Sequence, residues 1–362
     1  MMKNPLLIFI IFCCAALHSQ NKKTAIPYQK AKSIISDLDS IVTPNGIQEN
    51  FQIKAGGEKQ WVYVRGKNAD NPIILFVHGG PASPMAPVSW TFQRPLEEYF
   101  TMVHYDQRAS GKTFRTNDTL DLGKTIFIDQ YVDDAIQIAS HIRTKYKKEK
   151  IILMGHSWGT IVALKTALKR PDLFYAYVGI GQVINTQENE VLSFNYGLEV
   201  ATKKGNSDAV EELKSIAPYP GNKPITRNRI VIARKWAQHY GGLAAYRSSF
   251  DFFYKAPLLS PEYDYEDVKA INQGNIFTLG RILPEFLKVD FKKVTEFPIP
   301  VFQFMGRHDY TTPTKPTENW LEHLSAPLKK GVWFENSSHL IPIEEPGKFL
   351  VTLLNEVRPL GH

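Results

Sequence analysis

Ser157, Asp309 and His339 have the types and the chain order that nucleophilic acyl chemistry requires. A serine hydroxyl is a weak nucleophile at neutral pH. It needs an imidazole to accept its proton and a carboxylate to fix that imidazole's tautomer. Ser157 lies in "GHSWG", residues 155–159, with a glycine two positions away on each side. That spacing fits a sharp strand-to-helix turn, where strand and helix approach too closely for a Cβ at the glycine positions and the serine is lifted toward solvent. The plainer reading is a glycine-rich turn that happens to contain serine, and the rest of the sequence has to decide.

His323, His339 and His362 are the histidines that follow a usable aspartate. His323 falls within a predicted helix and His362 is the last residue, whereas His339 comes directly after a strand, so it is selected by elimination. Asp309 alone among the later aspartates sits just past a core strand; Asp208, Asp251, Asp264 and Asp267 fall in a helix-rich segment. Serine, acid and base at strand ends, in the order known for sheets of this kind, is not what a chance turn delivers. A developing oxyanion needs two backbone donors. Trp158 N–H offers one, and Gly79 or Gly80 of "HGGP", residues 78–81, offers the other.

Other polar residues read as structural. His78 and His156 are expected to be packed and hydrogen-bonded, and Asp106 and Arg108 to form an ion pair beside the site. "DQRASGKT" and "DLGKT" end like phosphate-binding loops, but aspartate stands five positions before each glycine where that loop needs glycine, so no nucleotide cofactor is expected.

The elements that must position these groups are legible as well. "NFQIKAGGEKQWVYVRG", residues 50–66, alternates around Gly56 and Gly57 as a β-hairpin does. Short apolar runs at "PIILFVHGG" (72–80), "TMVHYDQR" (101–108) and "KIILMG" (150–155) read as buried strands, and residues 128–146 have helical spacing. The alternation predicts a mostly parallel sheet with helices on both faces, its reactive groups at the carboxyl ends of strands. After a strand at 174–182 the rhythm stops; residues 183–297 read as an inserted helical cap rich in aromatics. It resumes with a strand at 299–309, a helix at 315–324, a strand at 329–339 and a last helix at 344–357. The core is therefore assigned to residues 20–182 and 298–362.

Composition bounds the rest. The chain has 362 residues, 43% apolar and 22% charged, which permits a large buried core and excludes a disordered chain. A net charge of +7 with scattered lysines does not suggest nucleic-acid binding. Lys3 precedes "PLLIFIIFCCAALHSQ", too short to span a bilayer and the right length for a secretory signal. Residues 1–19 are expected to be removed before Gln20, with Leu17 and Ser19 at the −3 and −1 positions and no membrane span left afterwards. Lipid attachment at Cys13 or Cys14 is disfavoured because Phe12 is bulky. Both cysteines lie in this segment, so the exported chain, periplasmic or extracellular, has no thiol and no cysteine metal site.

Taken together, "HGGP", "DQRASG", "GHSWGT", "GRHDYTTP" and "SSHLIPIEEP" resemble the proline iminopeptidase group of α/β-hydrolases, in the same order over nearly the whole chain. The resemblance implies a hydrolase core with a helical cap, Ser157, Asp309 and His339 in the places of the family triad, and metal-free release of N-terminal residues, often proline, from short peptides or arylamides. Ala82 and Ala109 stand where the family commonly has glycine, which is expected to reshape the pocket. The cap does not align to the family's amine-reading glutamates. Glu188, in "GQVINTQENE", is the candidate to meet a substrate ammonium; the alternative is that it opens a solvated helix. An ester, lactone or other acyl substrate is left open, as is a non-catalytic binding protein on the same fold, against which the intact triad argues. Oligomeric state is not legible.

Overall fold

Gly56 and Gly57 occupy φ of +55° and +87°, the mirror-image turn that a two-residue hairpin loop demands. They join β1 (Ile47–Ala55) to β2 (Glu58–Gly66) in the register Ala55 opposite Glu58. The computed structural model describes residues 28–221 and 225–361; residues 1–19, assigned to a signal peptide, lie outside them.

Six more strands complete one sheet: β3 (Ile73–Val77), β4 (Thr101–Tyr105), β5 (Ile151–His156), β6 (Phe174–Ile180), β7 (Val301–Gly306) and β8 (Lys329–Phe334). Their spatial order is β1-β2-β4-β3-β5-β6-β7-β8. β1, β2 and β4 pair antiparallel, and every pairing from β4 through to β8 is parallel. Strands β3, β4, β5 and β7 are buried along their whole length, which is why they read as continuous apolar runs rather than alternating ones.

Alternate side chains serve two layers. Leu75, Val103 and Leu153 face Ile138 and Ile142 of α4 (Ile128–Lys145) and Ile161 and Leu164 of α5 (Trp158–Lys169). Ile74, Met102 and Met154 face Phe92, Phe349 and Leu353 on the other side. Because α4 and α5 fix one face and the C-terminal segment the other, the strand ends between them are held from both sides.

The remaining helices are α1 (Gln29–Leu38), α2 (Gly111–Thr116), α3 (Thr119–Lys124), α6 (Thr186–Lys203), α7 (Ser207–Ser215), α8 (Arg227–Ala237), α9 (Asp251–Lys255), α10 (Tyr265–Phe286), α11 (Lys315–His323), α12 (Ile341–Glu344) and α13 (Pro346–Thr352). Helices α6 to α10 all fall between β6 and β7. The expected last helix is broken: Pro346 stands at the start of α13, where a missing N–H costs nothing, and so begins a new helix rather than continuing α12. Helix α1 was not foreseen, since its sequence carries no long apolar stripe and it buries no residue.

Candidate active site

Strand β5 ends at His156 and α5 begins at Trp158, so the whole reversal falls on Ser157, whose φ is +54° and ψ −125°. The flanking glycines are demanded by contact. A Cβ on Gly159 would lie 2.1 Å from the Val77 carbonyl oxygen, and one on Gly155 2.8 Å from that of Gly159. The corner is tied down on both sides: Ser157 N–H donates to Ile180 O at 2.9 Å, and Thr160 N–H and hydroxyl donate to Ser157 O at 2.8 and 2.6 Å. Ser157 is half-buried and lines a cavity of about 170 Å³.

Asp309, three residues past the end of β7, is buried and fully hydrogen-bonded. Its Oδ1 accepts from the N–H groups of Thr311 and Thr312 at 2.9 and 2.8 Å; Oδ2 accepts from the Thr312 hydroxyl at 2.9 Å and from His339 Nδ1 at 2.8 Å. A carboxylate so donated to holds the proton of His339 on Nδ1, which leaves Nε2 as the basic nitrogen. His339 lines the same cavity as Ser157, together with Gly79 and Gly80. The ring has its place only because Gly181, φ +55°, offers no side chain: a Cβ there would be 2.9 Å from the imidazole.

Several supports of this pair were not read from the sequence. His156 Nε2 donates to the His339 carbonyl at 2.9 Å, and Leu243 O accepts from His339 N–H at 3.1 Å. Gly242 O accepts from Tyr310 N–H, Thr311 N–H and the Thr311 hydroxyl at 3.2, 2.9 and 2.8 Å. Glu344 clamps the loop after β8, with Oε2 accepting from Ser338 and Leu340 N–H at 3.0 Å each and Oε1 from Ala245 N–H at 2.6 Å. Burial raises its carboxyl above the usual carboxylate range, against the pull of these donors. The only signal of this role was the acidic pair closing "SSHLIPIEEP".

At the other wall, a Cβ on Gly79 would stand 3.0 Å from Ser157 Cβ, and Gly80 takes φ +119°, so this loop approaches the serine with bare backbone. Trp158 N–H belongs to the first turn of α5 and has no carbonyl behind it to bond. His78 fixes the loop: Nδ1 donates to Gly79 O at 2.9 Å while Nε2 accepts from Gln107 N–H at 3.1 Å. Burial lowers His78 to about 4, so it is neutral and suited to this mixed role.

Three expectations are corrected. Glu188 does not face the Ser157 cavity. Asn185 caps its N–H at 2.8 Å, and its side chain lines a separate cavity with Lys292, 3.9 Å away. Residues two apart on a helix point to opposite sides, and it is Glu190 that turns inward, buried against Arg234 and Tyr219. Asp106 and Arg108 do not pair with each other. Arg108 Nε and Nη2 hold Asp134 of α4 at 2.7 and 2.8 Å, and Asp106 accepts from the Tyr263 and Tyr63 hydroxyls at 2.5 and 3.3 Å and from Lys112 N–H at 2.8 Å. Burial pushes Asp106 up to about 7, against the pull of these donors and of the Lys112 charge. Ala82 and Ala109, expected to reshape the pocket, do not line the Ser157 cavity. They matter through the backbone, at φ +58° and +57°.

A largely parallel sheet with helices on both faces and a serine at the β5–α5 corner is the architecture of an α/β hydrolase, and the family described as "alpha/beta hydrolase fold" matches residues 72–203. A "Probable aminopeptidase YbaC" of Bacillus subtilis (strain 168) is 31% identical over 312 residues, 85% of this chain and 95% of that one. A proline iminopeptidase of Flavobacterium johnsoniae is 24% identical over 317 residues, covering 83% and 95% of the two chains. Among solved structures, the proline iminopeptidase of Mycobacterium smegmatis superposes with a TM-score of 0.64 at 14% identity, over 86% of this chain and 99% of that one. The chain belongs to the α/β-hydrolases of proline iminopeptidase type.

Proposed function

We propose that this hydrolase cleaves the amide bond linking a terminal residue, or a comparably small acyl group, to its leaving group, through an acyl-enzyme on Ser157. The observation that carries the reading is the 2.8 Å bond from His339 Nδ1 to Asp309 Oδ2, at the edge of the cavity that Ser157 also lines. Ser157 Oγ attacks the substrate carbonyl as its proton passes to His339 Nε2. The oxyanion is met by Trp158 N–H and by an N–H of Gly79 or Gly80. The imidazolium, stabilised by Asp309, returns the proton to the leaving group, and water repeats the sequence to free the acid. The relatives' names, aminopeptidase and proline iminopeptidase, put peptides and amino-acid amides first. Residues 183–297 serve as the cap in this reading, and the apolar run before Gln20 directs export, which intact-mass measurement of the exported chain would test.

An ester or other acyl substrate is favoured by a second observation. Among the described residues no carboxylate lines the Ser157 cavity, and the adjoining cavity of about 450 Å³, which shares Ser83, Phe253, Tyr254 and Asn275 with it, is walled by Val88, Val268 and Ile271. The test is a turnover screen of single-residue arylamides beside short acyl esters, with fluorophosphonate labelling as a second readout. Wild type is expected to turn over members of the screen and to label, and Ser157→Ala to do neither. Wild-type protein that neither labels nor turns over any substrate would leave a binding protein as the better reading.

A further inference from the structure

A free N-terminal ammonium, brought out of water, needs a carboxylate to offset its lost hydration. The inserted helices bring Glu190 toward the Ser157 cavity, but its carboxylate is already committed. Its Oε1 accepts from Arg234 Nε and Nη2 at 3.1 and 2.5 Å, its Oε2 accepts from the Tyr219 hydroxyl at 2.5 Å, and only 1% of the side chain is exposed. The residue that reaches the cavity wall from this network is its cation. Arg234 lines the Ser157 cavity with 23% of its side chain exposed. Its Nη1 makes no hydrogen bond among the described residues. Gln238, one turn further along the same helical face, lines the cavity beside it. An ammonium entering here meets a guanidinium. An acceptor oxygen meets unused N–H donors, and because Glu190 neutralises the charge, an uncharged carbonyl is matched better than an anion.

Resting on the acyl-enzyme reading of Ser157, we propose that Arg234 is a specificity residue that hydrogen-bonds a carbonyl oxygen of the substrate's acyl part. The preferred substrates then carry a blocked amine, as in N-acylated aminoacyl amides or esters, rather than a free one.

The experiment compares alanyl and N-acetylalanyl p-nitroanilides on one preparation of each enzyme. Wild type is expected to favour the acetylated compound in kcat/KM by at least roughly 10-fold, and Arg234→Met to reduce that ratio by roughly 10- to 100-fold, the range set by losing a hydrogen bond from a charged donor. The ratio is unaffected by a general loss of active protein. Since Arg234→Met strands Glu190 as a buried charge and can impair folding, the double variant Arg234→Met/Glu190→Gln, which removes both charges, is measured beside it and should lose the preference equally. A wild-type preference for the free amine, or a ratio unchanged in both variants, overturns the role of Arg234 and leaves the acyl-enzyme reading standing. Turnover that survives Ser157→Ala overturns both.

Discussion

The imidazoles of His156 and His339 lie face to tilted face, 4.7 Å between centroids, and the lower ring donates from Nε2 to the carbonyl of the upper residue at 2.9 Å. Burial, and then the neighbouring His339, depress His156 to about 3, so at any pH where His339 acts as a base His156 is neutral and its donor is in place. It positions His339 without touching the reacting atoms.

His156→Leu should therefore lower kcat by roughly 10- to 100-fold with KM nearly unchanged, because a small displacement of the base is costly to the chemical step and not to binding. His156→Gln, which restores an N–H donor, should recover part of the loss. If both variants are equally impaired, with KM moving as much as kcat, the contact is packing alone.

Ser157 sits at φ +54°, a conformation glycine adopts freely and other residues adopt at a cost of about 1–3 kcal/mol. Ser157→Ala and Ser157→Gly should both lose roughly 10⁴-fold or more in kcat. Their stabilities should differ: the glycine variant keeps the strain relief, less about 0.4–1 kcal/mol of added unfolded-chain entropy. Urea melts should place it above the alanine variant by up to about 2.5 kcal/mol. An alanine variant as stable as the glycine one would mean that the corner is not strained.

Ala82 and Ala109 are buried at φ +58° and +57°. Replacing a buried alanine by glycine ordinarily costs about 1–2 kcal/mol, from the lost methyl and the freer unfolded chain. At these positions, relief of about 1–2 kcal/mol of left-handed strain offsets that cost. Ala82→Gly and Ala109→Gly should each fall within about 0.5 kcal/mol of wild type, while Ala163→Gly, inside α5 and equally buried, should show the full loss. Equal losses at Ala109 and Ala163 would contradict this account.

His104 lies remote from the serine, its Nε2 donating to Gln93 Oε1 at 2.6 Å. Burial first, then His78 and Arg65, depress it to about 3 from an ordinary 6.5. Between those two values the unfolded chain binds a proton that the folded chain refuses, so this residue's contribution is present above pH 6.5 and is lost as pH falls. From pH 7 to 4.5 the loss is roughly 2 kcal/mol. His104→Gln should flatten the fall in unfolding free energy over that range relative to wild type. Parallel pH curves for the two proteins would refute the assignment.

Ser157 stood out in the sequence because it ends an uninterrupted apolar run, β5, which is buried on both faces; Asp309 and His339 were picked by chain order, since β7 stops three residues before Asp309 and β8, an edge strand with exposed lysines, stops five before His339. The hairpin was legible in Gly56-Gly57 for the same kind of reason, a local conformation that few residues allow. What failed depended on partners distant in the chain. Arg108 finds Asp134 across 26 positions, not Asp106 two away, whose carboxylate is taken by the hydroxyls of Tyr263 and Tyr63. Glu188 was chosen over Glu190 with no means of knowing which face of α6 would turn inward. The backbone angles of Ala82 and Ala109 were hidden too, since alanine does not advertise a left-handed position as glycine does.

The carbonyls of Gly242 and Leu243 have a consequence for how this enzyme can be remodelled. Adjacent in the segment after α8, one accepts from the loop that carries Asp309 and the next from His339. Apart from the one from the Thr311 hydroxyl, these are main-chain bonds, which truncating a side chain leaves in place, and the segment acts as a weld between two loops that β7 and β8 deliver separately. The helices before it cannot swing away from the sheet at this seam without dragging Asp309 and His339 out of register. The larger cavity adjoining the Ser157 site is lined by residues of α9 and α10 and by neither residue of this seam. Exchanging this insertion for that of a relative is therefore not a neutral graft: unless the donor reproduces both carbonyls, the chimera would alter catalysis while leaving every catalytic residue in the sequence.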